Sequence, residues 1–376
     1  MRRYLIAGLT AGSLVLGTAL PAAAAPSPPG PDVISAILPS DPLTPSPQPV
    51  PLTRAIRNLN VTYQYQGNTY TLDQYINDRT RAWGMVVLDG RSNTIVRDHY
   101  FASSRATRFQ SWSASKSFVG TAVGIALAEG HIASIDDPVT TYLPELNGSG
   151  FAGVSIRNLL RMSSGVQWTE ELDIPQAHLG AAAGNPLTEF AKSRVRGWEP
   201  GTQQVYSGMN TFVLTWLLTK TTGTPFAQYV QQKIWNPAGM ASAATVSRDY
   251  QGSSLGYCCM MATVEDFSRL GLLYLNNGAS PAGQVVPASW VQQATSPSAP
   301  FNEPAGELGV GYGLHWWLGG GTHGDYWADG FGGQKIYVNP EHGVVIAKTA
   351  LMSTSSATED LIAFRAIAAR VAATRP

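Results

Sequence analysis

Gln110-Ser111-Trp112-Ser113-Ala114-Ser115-Lys116-Ser117-Phe118 opens a long run of small and apolar residues that ends at Glu129-Gly130. Phe118, Val119, Ala122, Val123 and Ala126 repeat on one face of a helix. Gly120 and Gly124 sit one turn apart, where a close neighbour leaves no room for a side chain, and Gly130 is a natural C-terminal stop. Ser113 and Lys116 are three residues apart, so a helix stacks one above the other. A serine hydroxyl beside a lysine amine is a candidate nucleophile with its proton acceptor, provided burial keeps part of the amine neutral. Backbone N–H groups at a helix start near Ser113 would face a developing oxyanion. None of Lys192, Lys220, Lys233, Lys335 and Lys348 has a serine three residues before it.

Working outward, Trp83–Leu88 and Thr94–Tyr100 read as strands joined by a turn at Asp89-Gly90-Arg91-Ser92-Asn93, a hairpin that runs into the Ser113 helix. Before it, Val61–Tyr70 predicts a hairpin turning at Gln66-Gly67-Asn68, then a helix over Leu72–Ala82. After the helix the texture changes to short helices, among them Ile156–Met162, Leu187–Ser193 and Thr211–Thr222. A helix with Val264, Phe267, Leu270 and Leu273 on one side follows, then strands over Gly311–Leu318, Gln334–Val338 and Gly343–Lys348, and a helix over Thr358–Ala373. This order predicts an α/β protein of the α+β type. An antiparallel sheet is flanked by helices, with an all-helical region inserted at 146–257 between the α/β segments 53–145 and 258–376.

The 376 residues suffice for one large or two medium domains. Lys+Arg and Asp+Glu both total 25, so no basic excess points to nucleic acid. Arg2-Arg3, the apolar run Tyr4–Leu20 and Pro21-Ala22-Ala23-Ala24-Ala25 read as a secretory signal peptide over 1–25, on the general rather than the twin-arginine route. The expected product is exported, with no stable membrane insertion after cleavage. Residues 26–52, rich in Pro and Ser, read as an extended leader that packs on the surface or stays mobile.

Cys258 and Cys259 are the only cysteines. Disulfide geometry disfavours so short a loop, so the expectation is two reduced, buried thiols rather than a vicinal disulfide. His99, His131, His178, His315, His323 and His342 show no metal-ligand spacing, and no metal or cofactor is expected. Gly252-Ser253-Ser254-Leu255-Gly256 matches the G-x-S-x-G elbow, but Ser247–Gln251 is too polar for the buried strand that an elbow needs.

The run RFQSWSASKSFVGTAVGIALAEG (Arg108–Gly130) resembles the active-site segment of the serine hydrolases related to class C β-lactamases. IRNLLRMSSGVQW (Ile156–Trp168), WEPGTQQVYSGMNT (Trp198–Thr211), KIWNPAGM (Lys233–Met240), MATVEDFSRLGLLYLNNG (Met261–Gly278) and YWADGFGGQKIYVNP (Tyr326–Pro340) continue the likeness in order. Within that superfamily the chain looks most like the 6-aminohexanoate-dimer (nylon-oligomer) hydrolases and their carboxylesterase relatives. The resemblance implies a β-lactamase/penicillin-binding-protein-like fold, with Ser113 as acylated nucleophile, Lys116 as its activator and Tyr206 as general acid/base. A tyrosine beside an ammonium is expected to have a lowered pKa.

Two departures bear on substrate. The β-lactamase Tyr-x-Asn is Tyr206-Ser207-Gly208 here, and the Lys-Thr-Gly strand is matched by Phe331-Gly332-Gly333, so Phe331 offers no charge to a substrate carboxylate. Gly330, Gly332 and Gly333 permit a register one residue different, and Lys335 could reach back into the site. On the first register the N–H groups of Ser113 and Gln334 form the oxyanion hole. Trp112, Trp168, Tyr257, Trp316 and Trp327 are candidates for the wall of an apolar cleft. The expected function is a secreted serine hydrolase of small ester or amide substrates. The rivals are a β-lactamase or DD-carboxypeptidase, and a catalytically silent penicillin-recognising module.

Overall fold

The computed structural model describes residues 37–376. The signal peptide, and the leader up to residue 36, lie outside them. An eight-stranded sheet runs in the order Val310–Tyr312, Trp317–Gly319, Tyr326–Gly330, Gln334–Asn339, Val344–Ala350, Ala82–Asp89, Thr94–Tyr100, Thr53–Arg54. Every neighbouring pair is antiparallel except the last, which is parallel. The fold is thus the expected β-lactamase/penicillin-binding-protein-like arrangement of an antiparallel sheet with helices.

Alternation along the central strands feeds two cores. Val86 and Leu88 join the Ser113 side with Ile336, Val338 and Val345, while Met85 and Val87 face the other side with Tyr337 and Ile346. The C-terminal helix Ala357–Ala373 covers the second face with Leu361, Phe364, Ile367 and Val371. The helix Val264–Leu275 covers the first. It approaches closely because Gly271 has no side chain: a Cβ there would stand 2.5 Å from Val345. Gly120 and Gly124 act alike in the helix Lys116–Ala128, against His315 and the Trp290 ring.

A second, four-stranded sheet runs Ser40–Leu43, Ala244–Ser247, Met260–Thr263, Arg108–Gln110. Part of the expected surface leader is therefore a strand, paired with Ala244–Ser247. That pairing also corrects the all-helical reading of 146–257. The predicted strand Gly311–Leu318 is instead a small hairpin, broken where His315 turns to positive φ. The strand Tyr326–Gly330 and the helix Glu170–Ala182 were not anticipated. Among the described residues no helix is long and apolar enough to cross a membrane.

Candidate active site

The strand Arg108–Gln110 delivers the chain to the site, and the segment 256–260 then grips it. The Ser111 N–H donates to the Met260 carbonyl at 2.8 Å, and the Met260 N–H returns to Ser111 Oγ at 3.2 Å. Ser115 Oγ donates to the Gly256 carbonyl at 2.8 Å. Trp112 is forced to a φ of +44°, a region costly for a residue with a Cβ. Ser113 follows on a 3₁₀ turn, Trp112–Ser115, rather than on the α-helix itself, which begins at Lys116.

Lys116 Nζ lies 2.8 Å from Ser113 Oγ and donates to the Tyr257 carbonyl at 3.0 Å. The amine is buried, with the Glu170 carboxylate 3.7 Å away. Burial lowers the lysine pKa to about 8, with Glu170 pulling it back up. Glu170 is held by its own donors, Trp168 Nε1 at 2.6 Å and the Gly208 N–H at 2.7 Å.

Tyr206 precedes the helix Gly208–Thr222, whose N-cap is Ser207. The Lys116 ammonium sits 4.8 Å from the Tyr206 ring centroid, and the ring stacks on Trp317 at 5.6 Å. Desolvation drives its phenol well above the ordinary value, and a hydrogen bond with Ser113 pulls weakly the other way. The expected lowering is therefore reversed: burial, with Tyr312 and the Glu170 carboxylate adding to it, keeps Tyr206 a neutral phenol.

These groups open on a cleft of about 1080 Å³, lined by Ser113, Glu170, Tyr206, Tyr257 and the edge Asp329–Gly333. Of the five aromatic candidates, Trp112, Trp168 and Tyr257 line it. Trp316 is instead buried against Tyr274, ring centroids 4.3 Å apart, and Trp327 belongs to the core under the C-terminal helix. Phe331 is 65% exposed and meets Trp112 edge-on at 5.8 Å.

Gly332 and Gly333 line the cleft, both at positive φ, but Gln334 does not. The Gln334 side chain donates to the Phe331 and Ala350 carbonyls and accepts from the Ala350 N–H. The tight approach is one turn earlier: a Cβ on Gly330 would stand 2.3 Å from the Ser111 carbonyl. Lys335 does reach the cleft, yet its ammonium is bound to Asp329 and lies 3.9 Å from Asp360.

Ser254 lies in a bridge with Arg248, and no helix follows it, so the elbow geometry is absent there. The cysteines are joined as a vicinal disulfide, against the expectation of free thiols. The backbone meets the short loop by taking Cys259 to a φ of +72°. His178 Nε2 lies 3.6 Å from Cys258 Sγ, and its ring stacks on Tyr257. Burial, helped by the Lys116 charge, lowers the His178 pKa to about 4. Nothing in the sequence marked Glu170, His178 or Asp329 as members of the site. Thr169 ahead of Glu170, Glu171 and Asp173 was a legible helix start, masked by Pro175.

A family model described as Beta-lactamase matches residues 72–372. The chain belongs to that family and is a hydrolase of it. It is 28% identical over 279 residues to a 6-aminohexanoate-dimer hydrolase of Paenarthrobacter ureafaciens, covering 69% of this chain and 70% of the relative. It is 29% identical over 134 residues to a Beta-lactamase of Escherichia coli, covering 36% and 34%. Among solved structures, one described as a 6-aminohexanoate-dimer hydrolase from Bacillus anthracis superimposes with a TM-score of 0.78 at 21% identity, covering 90% of this chain and 92% of that one. A family VIII carboxylesterase superimposes at 0.58 and 14% identity, covering 76% and 93%. At these identities the structural likenesses speak for the fold alone.

Proposed function

We propose that the protein hydrolyses esters or amides of small, neutral substrates through an acyl-enzyme on Ser113. The observation that carries this is the 2.8 Å contact between Ser113 Oγ and a buried amine whose pKa lies near 8. An amine with that pKa is partly neutral near pH 7–8 and accepts the serine proton as Oγ attacks the carbonyl. Tyr206, a neutral phenol, passes a proton to the departing alkoxide or amine and is refilled from the Lys116 ammonium. Water then attacks the acyl group by the reverse relay, Ser113 leaves with a proton, and the acid is released. The oxyanion is held by the N–H of Ser113 and, because Gly330 abuts Ser111 while Gln334 stands off the cleft, by that of Phe331.

The substrate class follows from the cleft edge. Phe331 and Trp112 present apolar rings, and Lys335 is already paired with Asp329, so among the described residues lining this edge no free cation waits for a carboxylate. The likeness to a 6-aminohexanoate-dimer hydrolase favours the amide and ester reading over the β-lactamase one. Export through the N-terminal signal is part of the proposal, and the disulfide fits an oxidising compartment. The test compares kcat/KM for p-nitrophenyl butyrate, a linear amide and a chromogenic cephalosporin. The ester and amide are expected to lead; efficient cephalosporin turnover with feeble esterase activity would overturn the assignment.

A further inference from the structure

We infer that Cys258, Cys259 and His178 form a redox-gated zinc site in the wall of the catalytic cleft, and that filling it shuts hydrolysis down. The three residues bring their ligand atoms within 4.8 Å of one another, and all three are buried. Cys258 and His178 line the cleft, which gives an ion a path in. A tetrahedral zinc ion with ordinary Zn–S and Zn–N lengths holds sulfur and nitrogen about 3.6 Å apart. Cys258 Sγ and His178 Nε2 already stand at 3.6 Å. Two thiolates and an imidazole, with a fourth position open to the cleft, suit zinc better than a hard cation.

The disulfide is the gate. A dithiol reductant breaks the S–S bond: two electrons and two protons pass to the cysteines, and the reductant closes to its own cyclic disulfide. Zinc then displaces the two thiol protons. Binding spreads the sulfurs from bonded contact to about 3.8 Å, the span of two thiolates on one tetrahedral ion. That movement falls in the segment which holds Ser115 through Gly256, Lys116 through Tyr257 and Ser111 through Met260. The nucleophile and its base are thus tied to the chain on both sides of the two sulfurs. The loss of hydrolysis rests on the proposed function; the uptake of zinc does not.

The test reduces the whole protein with dithiothreitol, removes the reagent anaerobically and titrates Zn²⁺ by calorimetry, with Co²⁺ absorption as the spectroscopic check. Reduced protein is expected to bind one equivalent, with a thiolate-to-cobalt charge-transfer band, and to lose at least tenfold in ester hydrolysis, recovered with a chelator. Oxidised protein and Cys258→Ser should bind none, and His178→Ala should bind at least tenfold more weakly, each with a circular dichroism spectrum like that of wild type. Cys259→Ser serves as a second removal of the thiol pair should Cys258→Ser fail to fold. No uptake by reduced protein, or equal uptake by the cysteine variants, would overturn the site. Uptake with hydrolysis unchanged would overturn the inhibition. An oxidised protein that hydrolyses nothing while the reduced form still binds zinc would count against the proposed function alone.

Discussion

Lys116 and Lys348 are both fully sequestered lysines, and burial lowers the pKa of each, yet their surroundings differ in kind. Lys348, in the middle of the large sheet, meets both oxygens of Asp360 at 3.1 Å and also donates to the hydroxyls of Tyr75 and Thr80. Its charge is matched by a carboxylate in direct contact. Lys116 touches a serine hydroxyl and a backbone carbonyl, while its carboxylate, Glu170, stays at 3.7 Å. A fully paired buried ammonium holds elements together; an under-paired one gives up its proton near neutral pH. On the proposed function the same residue type serves stability in one place and chemistry in the other, and the distance to the carboxylate separates them.

The contrast breaks most sharply under substitution of the two lysines. Lys116→Ala is expected to lower kcat on the order of 10⁴-fold, since an unassisted serine hydroxyl is a poor nucleophile, with the denaturant midpoint little changed. Lys348→Met should do the reverse. Leaving Asp360 without its contact partner should cost about 3–5 kcal/mol of stability, while the folded fraction keeps its kcat. Denaturation curves and steady-state rates on the same preparations check both; loss of rate from Lys348→Met without loss of stability would erase the distinction.

Tyr206→Phe keeps the ring over Lys116 and removes the proton donor, so a fall in kcat of about 10²–10³-fold is expected with KM nearly unchanged. Wild-type rates in that variant would remove the tyrosine from the mechanism. A smaller, directional effect sharpens the role of the distant carboxylate. The proposed mechanism needs a neutral Lys116, so kcat/KM should rise with pH through about 8. Glu170 holds that pKa up, so Glu170→Gln should move the rise to lower pH; a pH profile with an unmoved limb would mean that the carboxylate does not set the lysine.

Much of the fold could be read from local pattern. The turn at Gln66-Gly67 was visible because two adjacent residues must take positive φ, as both do. The Lys116–Ala128 and Val264–Leu275 helices were visible in their spacing, and the first also in Gly120 and Gly124, which the neighbouring core requires. Tyr326–Gly330 was hidden because Asp329 looks misplaced in a strand until its partner across the hairpin, Lys335, is known. In the site, Ser113 and Lys116 were legible because they interact within one turn. Glu170, 54 positions beyond Lys116, meets it only through tertiary folding, and no local spacing encodes that. The sign of the Tyr206 shift was misread for a related reason: the lysine was visible in the sequence, whereas the burial that raises the phenol was not. The cysteine pair was judged by the general cost of a short loop, without the backbone turn at Cys259 that accommodates it.

The central claim is that Ser113 becomes acylated. An activated phosphonate ester incubated with wild-type, Ser113→Ala and Ser254→Ala protein, followed by intact-mass and peptide mass spectrometry, tests it most directly. One adduct per chain on the peptide carrying Ser113, in wild type and Ser254→Ala but not in Ser113→Ala, is the predicted result. An adduct that persists in Ser113→Ala and disappears in Ser254→Ala would contradict the account.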